Sequence, residues 1–305
     1  MNYNGRTLGQ DTELSLEREG LRLGSRFLDF ADIKALSPLN HRVQLETLAG
    51  EEIEISMLGF SYDGFWEELM DLFGKRSLEA LFVEESLVML SEGEYQTPRE
   101  SGRAKIALFP DAVCILPQTC NAVRIPLCFA EEIRLDGYLL HLTLASGARY
   151  TVGRMGYDTK PFAERAQQAS DQVKKTRARL LSPLTLQDLF TVKGLFRTGQ
   201  TEEHWQAAFG HGVCAVELFT KEDAATYLYR FTEPEMVFRA QLEEAMEAMG
   251  SHREIIYFTE EQLAEKPLYR MAVQRNDAVT FLRGHSAGRL IHNATHAQRL
   301  REFLG

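Results

Sequence analysis

His292 and His296 stand four residues apart where the sequence predicts the start of a helix, a spacing that puts two imidazoles on one helical face and suits a zinc ion. Two further ligands would be needed, and the neighbouring Asn293 and Thr295 are poor ones, so surface or packing histidines are expected and no metal site is assigned. Upstream, the run Arg283-Gly284-His285-Ser286-Ala287-Gly288-Arg289 offers two guanidinium groups on a flexible backbone, which suits an anion; a hairpin loop accounts for the same residues. Arg283, His285, Arg289 and His292 are therefore the candidate ligand-binding group. A second basic cluster, Lys174, Lys175, Arg177 and Arg179, crowds the C-terminal end of a predicted helix, where cations are favoured by the helix dipole. It is the candidate partner-binding surface, although a solvated helix end explains the same charges. The sequence contains no GxGxxG, P-loop, GxSxG or HExxH pattern, and Gly210-His211-Gly212 lacks phosphate-loop spacing. No catalytic residue and no cofactor is nominated.

Composition narrows the classes further. The four cysteines include no CxxC pair, so neither a zinc ribbon nor a dithiol redox site is suggested, and reduced, buried thiols are expected. No apolar run approaches the roughly 20 residues that span a bilayer, and the first ten residues are polar, unlike a signal peptide, so the expected location is cytoplasmic. The net charge of −10 is unevenly placed: residues 1–92 carry 8 Lys and Arg against 18 Asp and Glu, residues 93–181 carry 13 against 9, and the remainder 13 against 17. An acidic first third repels nucleic acid and anionic lipid.

The elements that must position these groups are announced by a repeat. Leu45–Leu69 and Leu142–Ala166 match at a separation of 97 positions: Gly50, Gly59, Phe65 and Glu67 meet Gly147, Gly156, Phe162 and Glu164, while Phe60 meets Tyr157. In the first copy, period-two alternation predicts strands over Glu13–Leu23, Phe27–Leu36, Arg42–Leu48 and Glu52–Leu58, with turns at Glu19-Gly20, Ser37–Asn40 and Ala49-Gly50. A helix capped by Asp63 should end at Gly74, and Ser77 should cap a second short helix through Phe82. In the second copy, strands are predicted at Ala104–Phe109, Ala112–Leu116, Val123–Leu127, Glu132–Leu135, Leu139–Leu144 and Arg149–Gly153, then a long helix from Asp158 or Thr159 to Leu181.

Antiparallel strands followed by one amphipathic helix, at roughly 90–100 residues per unit, resemble the pleckstrin-homology superfold and most closely its GRAM-like and bacterial variants. The resemblance covers about residues 11–181. It rests on Phe30–Ile33, Val43–Gly50, Gly59 and Phe65-Trp66, echoed by Phe129–Ile133, Leu142–Gly147, Gly156 and Phe162. It implies two tandem β-barrel or sandwich units, each closed by its C-terminal helix with Phe65 or Phe162 as anchor. Phosphoinositide binding, often attached to this superfold, is disfavoured because Glu13, Glu17, Glu19 and Asp29 surround Arg18, Arg22 and Arg26.

After Ser182-Pro183 the repeat stops. A short helix around Glu202–Phe209 is expected, strands at Val213–Phe219 and Thr226–Phe231, and a helix with a Thr232/Glu235 capping box ending at Gly250. Strands are then expected at Glu254–Phe258, Tyr269–Gln274, Val279–Arg283 and Arg289–Ile291, and a last helix at Thr295–Leu304. The fold class is thus α+β, with units at 1–92, 93–183 and 184–305. The functional expectation is a non-enzymatic cytoplasmic adaptor binding protein partners along a strand edge or the exposed face of the Phe162–Leu181 helix. Two alternatives are anionic-lipid binding by the basic second unit, and a small-ligand sensor or enzyme with its site in the C-terminal part.

Overall fold

The computed structural model describes residues 2–7, 10–83, 85–181, 190–191, 196–198, 201–210, 212–219, 224–250 and 252–291. The first sheet contains β1 (Asn2–Thr7), β2 (Gln10–Leu16), β3 (Gly20–Leu23), β4 (Arg26–Asp29), β5 (Ile33–Leu39), β6 (Arg42–Thr47) and β7 (Glu52–Ser56), followed by helix α1 (Tyr62–Ala80). The second contains β8 (Met89–Gln96), β9 (Ser101–Leu108), β10 (Ala112–Pro117), β11 (Val123–Pro126), β12 (Ala130–Asp136), β13 (Leu139–Leu144) and β14 (Arg149–Gly153), followed by α2 (Thr159–Leu181). Strand β8 runs through residues 92 and 93. The two orders are the same, β4-β3-β2-β1-β7-β6-β5 and β11-β10-β9-β8-β14-β13-β12, and every pairing is antiparallel.

Neither sheet closes into a barrel, which corrects that form of the expectation. The chain passes from one sheet edge to the other through a single 3-10 turn, Phe30–Asp32 or Leu127–Phe129, and side chains rather than a hydrogen-bonded ladder bridge the corner. Phe30 is fully buried there and meets Phe73 of α1 edge-on at 5.8 Å. Phe65 and Phe162 are each fully buried in the core of their own sheet, as anchors should be.

Strand register extends the repeat beyond what the sequence displays. The 97-residue offset holds from β4 onward, down to the bulge, between Ile33 and Ala35 in one copy and Ala130 and Glu132 in the other. In β2 and β3 the corresponding residues lie 92 apart, Leu14 with Ile106, and in β1 they lie 88 apart, Gly5 with Gly93. The second copy is therefore longer in two loops, β8–β9 and β10–β11. Sequence periodicity also passes over β1 and β8, the strands that join the halves of each sheet. Their inward residues are Tyr3, Gly5 and Thr7, and Ser91, Gly93 and Tyr95, whose glycine, serine and threonine interrupt an apolar alternation.

Helix α1 is continuous, where the sequence predicted a break. Gly74 lies inside it, and the Ser77 hydroxyl donates to the Phe73 carbonyl at 2.9 Å, bonding back along the helix instead of capping a new one. The reason is packing on two fronts. Phe65, Leu69 and Phe73 fill the first core, while Leu78 and Leu81 pack with Ala107, Phe109, Cys114 and Leu116 on the outer face of the second sheet. Strand β10 is consequently buried on both faces. A fully buried leucine such as Leu81 contributes about 1.5–3 kcal/mol, enough to override the cost of about 1 kcal/mol for an interior glycine.

The predicted turn at Ser37–Asn40 moves by two residues: β5 runs through Leu39, and Asn40 and His41, both left-handed at φ 51° and 57°, make the hairpin. The third sheet holds β15 (Phe190–Thr191), β16 (Phe196–Thr198), β17 (Thr201–Gly210), β18 (Val213–Phe219), β19 (Ala224–Arg230) and β20 (Ser286–Ile291), in the order β15-β17-β18-β19-β20 with β16 on β17. Between β19 and β20 come α3 (Glu235–Met249), a 3-10 turn (Arg253–Ile256), α4 (Glu260–Ala264), α5 (Pro267–Arg275) and α6 (Asp277–Gly284).

Several C-terminal expectations are corrected here. Residues 202–209 form a strand because they pair along β18 across the Gly212 turn. The three strands expected between 254 and 283 are instead a 3-10 turn and parts of α5 and α6, and the start signals of α4, α5 and α6 are present: a Thr259/Gln262 capping box, Pro267 in the first turn of α5, and Asn276 accepting from Val279 N at 3.0 Å. The Thr232/Glu235 box does not form; α3 starts after Pro234 with no side-chain cap, though Phe238, Leu242, Ala245 and Met249 make its buried face as expected and Gly250 ends it. The helix expected at Thr295–Leu304 lies outside the described residues. No described helix is long and apolar enough to cross a membrane.

Candidate functional site

The nominated C-terminal group is engaged by its own chain. Arg283, in the last turn of α6, donates to the carbonyls of Ile255 and Phe258, the latter at 2.9 Å, and to Glu260 Oε1 at 3.0 Å. His285 places Nδ1 2.7 Å from the Phe281 carbonyl and Nε2 2.9 Å from Glu233 Oε1, with its ring 4.2 Å from Phe281. The Arg289 guanidinium lies 5.4 Å over the Tyr257 ring, and His292 lies outside the described residues. Arg283 and His285 thus tie α6 to the preceding segments, and Arg289 faces the Tyr257 ring. In the basic cluster, Lys174 donates to the Ala130 carbonyl, Lys175 is exposed, and Arg177 and Arg179 lie in α2 with side chains outside the description. Cys114, Cys128 and Cys214 are buried and Cys120 half-buried, all as free thiols; burial pushes Cys114 up to about 12. No group of three or more His, Cys, Asp or Glu placed to hold a metal occurs among the described residues.

Two other arrangements emerge, and both come from the repeat. The first is a corner present in each copy. Leaving β7, the chain turns left-handed at Met57 (φ 61°), buries Leu58, turns left-handed again at Gly59 (φ 56°), and exposes Phe60 completely before α1 begins. Leaving β14, it does the same at Arg154 (φ 53°), Met155, Gly156 (φ 60°) and Tyr157. A left-handed methionine or arginine costs of order 1–3 kcal/mol, and neither aromatic recovers it by burial. Leu58 and Met155 plug the cores, and in the second corner the Thr159 hydroxyl donates to Gly156 O at 3.1 Å and accepts from Met155 N at 3.0 Å. The equivalence of Phe60 and Tyr157 was legible in the repeat; their exposure was not.

The second arrangement is a junction built by the two loops in which the copies differ. Glu100, in the longer β8–β9 loop, accepts from Thr119 Oγ1 and Asn121 Nδ2, each at 2.7 Å, and from the Tyr95 hydroxyl. The longer β10–β11 loop then seals the β5 edge: Leu36 N donates to Gln118 O at 2.8 Å and Cys120 N to Lys34 O at 2.7 Å. The same loops reach the C-terminal part, where Arg99 pairs with Asp277 and donates to Gln274 O at 3.1 Å. The matching edge strand of the second copy, β12, instead carries Glu131, Glu132, Arg134 and Asp136, charges that blunt an edge against strand addition.

Buried charge knits the remaining contact. Arg124 of β11 donates to Asp111 Oδ2 at 2.7 Å and to the Glu247 carbonyl of α3 at 3.1 Å. Burial works against its charge, and Asp111 and Glu247 more than offset it, so its pKa lies above the ordinary value. Nearby, burial raises the Glu244 carboxyl of α3 and the Tyr150 hydroxyl of β14 above their ordinary values. No family model matches this chain, and no curated protein matches it.

Proposed function

We propose that the chain is a non-enzymatic cytoplasmic adaptor with two pleckstrin-homology-like units, and that Phe60 and Tyr157 are its anchors for a protein partner. The shared strand order followed by a C-terminal helix supports the likeness to that superfold. The observation that carries the function is the twin corner: a strained, plugged turn presents a fully exposed aromatic ring at the same place in both copies. Exposed apolar residues scattered singly are ordinary on a surface, whereas here a fully exposed aromatic ring follows the plugged turn in both copies. Large aromatics are also the side chains on which protein interfaces concentrate their energy.

The local charge argues for protein over anionic membrane. Asp63 and Glu67 follow Phe60 in α1, and around Tyr157 the cations Arg154 and Lys160 are matched by Glu94 at 3.0 Å and Glu164 at 3.9 Å, with Asp158 beside them. Neither corner has a cationic surplus to draw it to anionic headgroups. The test is affinity capture with the wild-type chain and with F60S/Y157S, run beside sedimentation with phosphatidylserine vesicles. The adaptor reading predicts a captured protein that the double variant loses and no sedimentation. Salt-sensitive sedimentation of the wild type overturns it in favour of a lipid surface.

A further inference from the structure

At the meeting of α1, α5 and the β10–β11 loop stands a cation with no counterion among the described residues. Arg275 closes α5 with 4% of its surface exposed, and its Nε and both Nη atoms have no hydrogen-bond partner among the described residues. Its guanidinium lies 6.0 Å over the Phe73 ring of α1. One turn along that helix is Arg76, also buried, whose Nη1 donates to Glu79 at 2.9 Å and whose Nε is unpartnered.

The described carboxylates around this pair have partners other than Arg275, and Asp29 also faces Arg76 and Arg270. Glu79 takes Arg18 and Arg76, Asp32 takes Arg270 at 2.6 Å, Asp29 accepts Ala31 N at 2.8 Å, Glu100 takes Thr119 and Asn121, and Asp277 takes Arg99. Cys120 is close enough to be an internal partner, but burial raises its pKa, so at neutral pH it remains a thiol and brings no charge. Burial, with Arg76 adding to it, pushes Arg275 down to about 10, still charged at neutral pH. An enclosed, unpaired guanidinium costs several kcal/mol, and two arginines side by side present the fork geometry that takes two or more oxygens of one oxyanion.

We propose that Arg275, with the unpartnered Nε of Arg76, forms an enclosed site for a small oxyanion of phosphate or carboxylate type. This goes beyond the adaptor reading and does not depend on it.

The test is thermal unfolding of the full chain against inorganic phosphate, and separately acetate, with chloride holding ionic strength constant. Wild type should show a saturable rise in Tm of about 2 °C or more with at least one of the two anions. R275M should show none, and R134M, which removes an exposed arginine, should behave as wild type. Response to phosphate alone or acetate alone identifies the class. No saturable rise in wild type with either anion, or an equal rise in R275M, overturns the proposal. Should R275M fail to fold, R275K replaces it: a point charge without the fork should shift the anion midpoint tenfold or more, and an unchanged midpoint overturns the proposal.

Discussion

Gly5 and Gly93 hold the same place in successive sheets, each on the strand that joins the two halves of its sheet. A methyl group at Gly93 would stand 2.4 Å from the Gly153 carbonyl oxygen, and one at Gly5 would stand 2.8 Å from Leu14 Cδ1 and 3.2 Å from the Ser56 carbonyl. The obstacle at Gly93 is backbone, whereas at Gly5 the nearest atom is the end of a side chain that can turn. G93A is therefore expected to destabilise by about 1–3 kcal/mol in urea unfolding, and G5A by less. Equal, negligible effects would mean that the strands do not cross as closely as described.

That pair also shows why the sequence revealed so much of this fold and not its centre. Other strands alternate Leu14/Leu16, Ile53/Ile55 and Leu140/Leu142/Leu144, all buried, and their period of two is plain. At the joining strands neighbouring atoms crowd Gly5 and Gly93, the inward face mixes tyrosine with glycine, threonine and serine, and the apolar pattern disappears. In the C-terminal part, α4, α5 and α6 span 5, 9 and 8 residues, too short for helical and strand periods to separate. Their start signals at Thr259, Pro267 and Asn276 were the better guide. Arg275 and Arg76 lie about 200 positions apart, and only the docking of α5 on α1 brings them together.

Glu100 is expected to hold the seam between the first two sheets. E100A leaves the Thr119, Asn121 and Tyr95 donors without an acceptor, at a cost of about 1–3 kcal/mol. Hydrogen exchange should then quicken specifically at the Leu36 and Cys120 amides, which bond across the seam. Uniform acceleration throughout the chain would instead indicate general loss of stability.

Arg124 and Asp111 are expected to behave as a buried pair. R124M alone strands the Asp111 carboxylate and should cost about 3–5 kcal/mol, while R124M/D111L should recover most of that loss. Urea midpoints of the two single variants and the double variant close the cycle. Additive losses would contradict the pairing.

Acid stability should carry the signature of Glu79. Burial raises its pKa, but hydrogen bonds and charge from Arg18 and Arg76 more than offset that, leaving it below the ordinary 4.5. Its stabilisation is present above pH 4.5 and is lost as pH falls through the depressed folded value, because there the unfolded chain binds the proton first. Asp29 acts in the opposite sense, since burial raises it above 3.8 and Arg76 only partly offsets this. The comparison is therefore between wild type and E79Q, whose stability should fall less steeply below pH 4.5. Parallel acid limbs would contradict the role.

The twin corner is tested most directly by quantitative affinity capture from the native host, comparing wild type with F60S, Y157S and F60S/Y157S. Both positions are fully exposed, so the variants should unfold within about 0.5 kcal/mol of wild type, and any loss of binding reports on contact. The account predicts one or more proteins captured by wild type, reduced by each single change and lost, by tenfold or more, in the double variant. A partner captured equally by all four chains would contradict it.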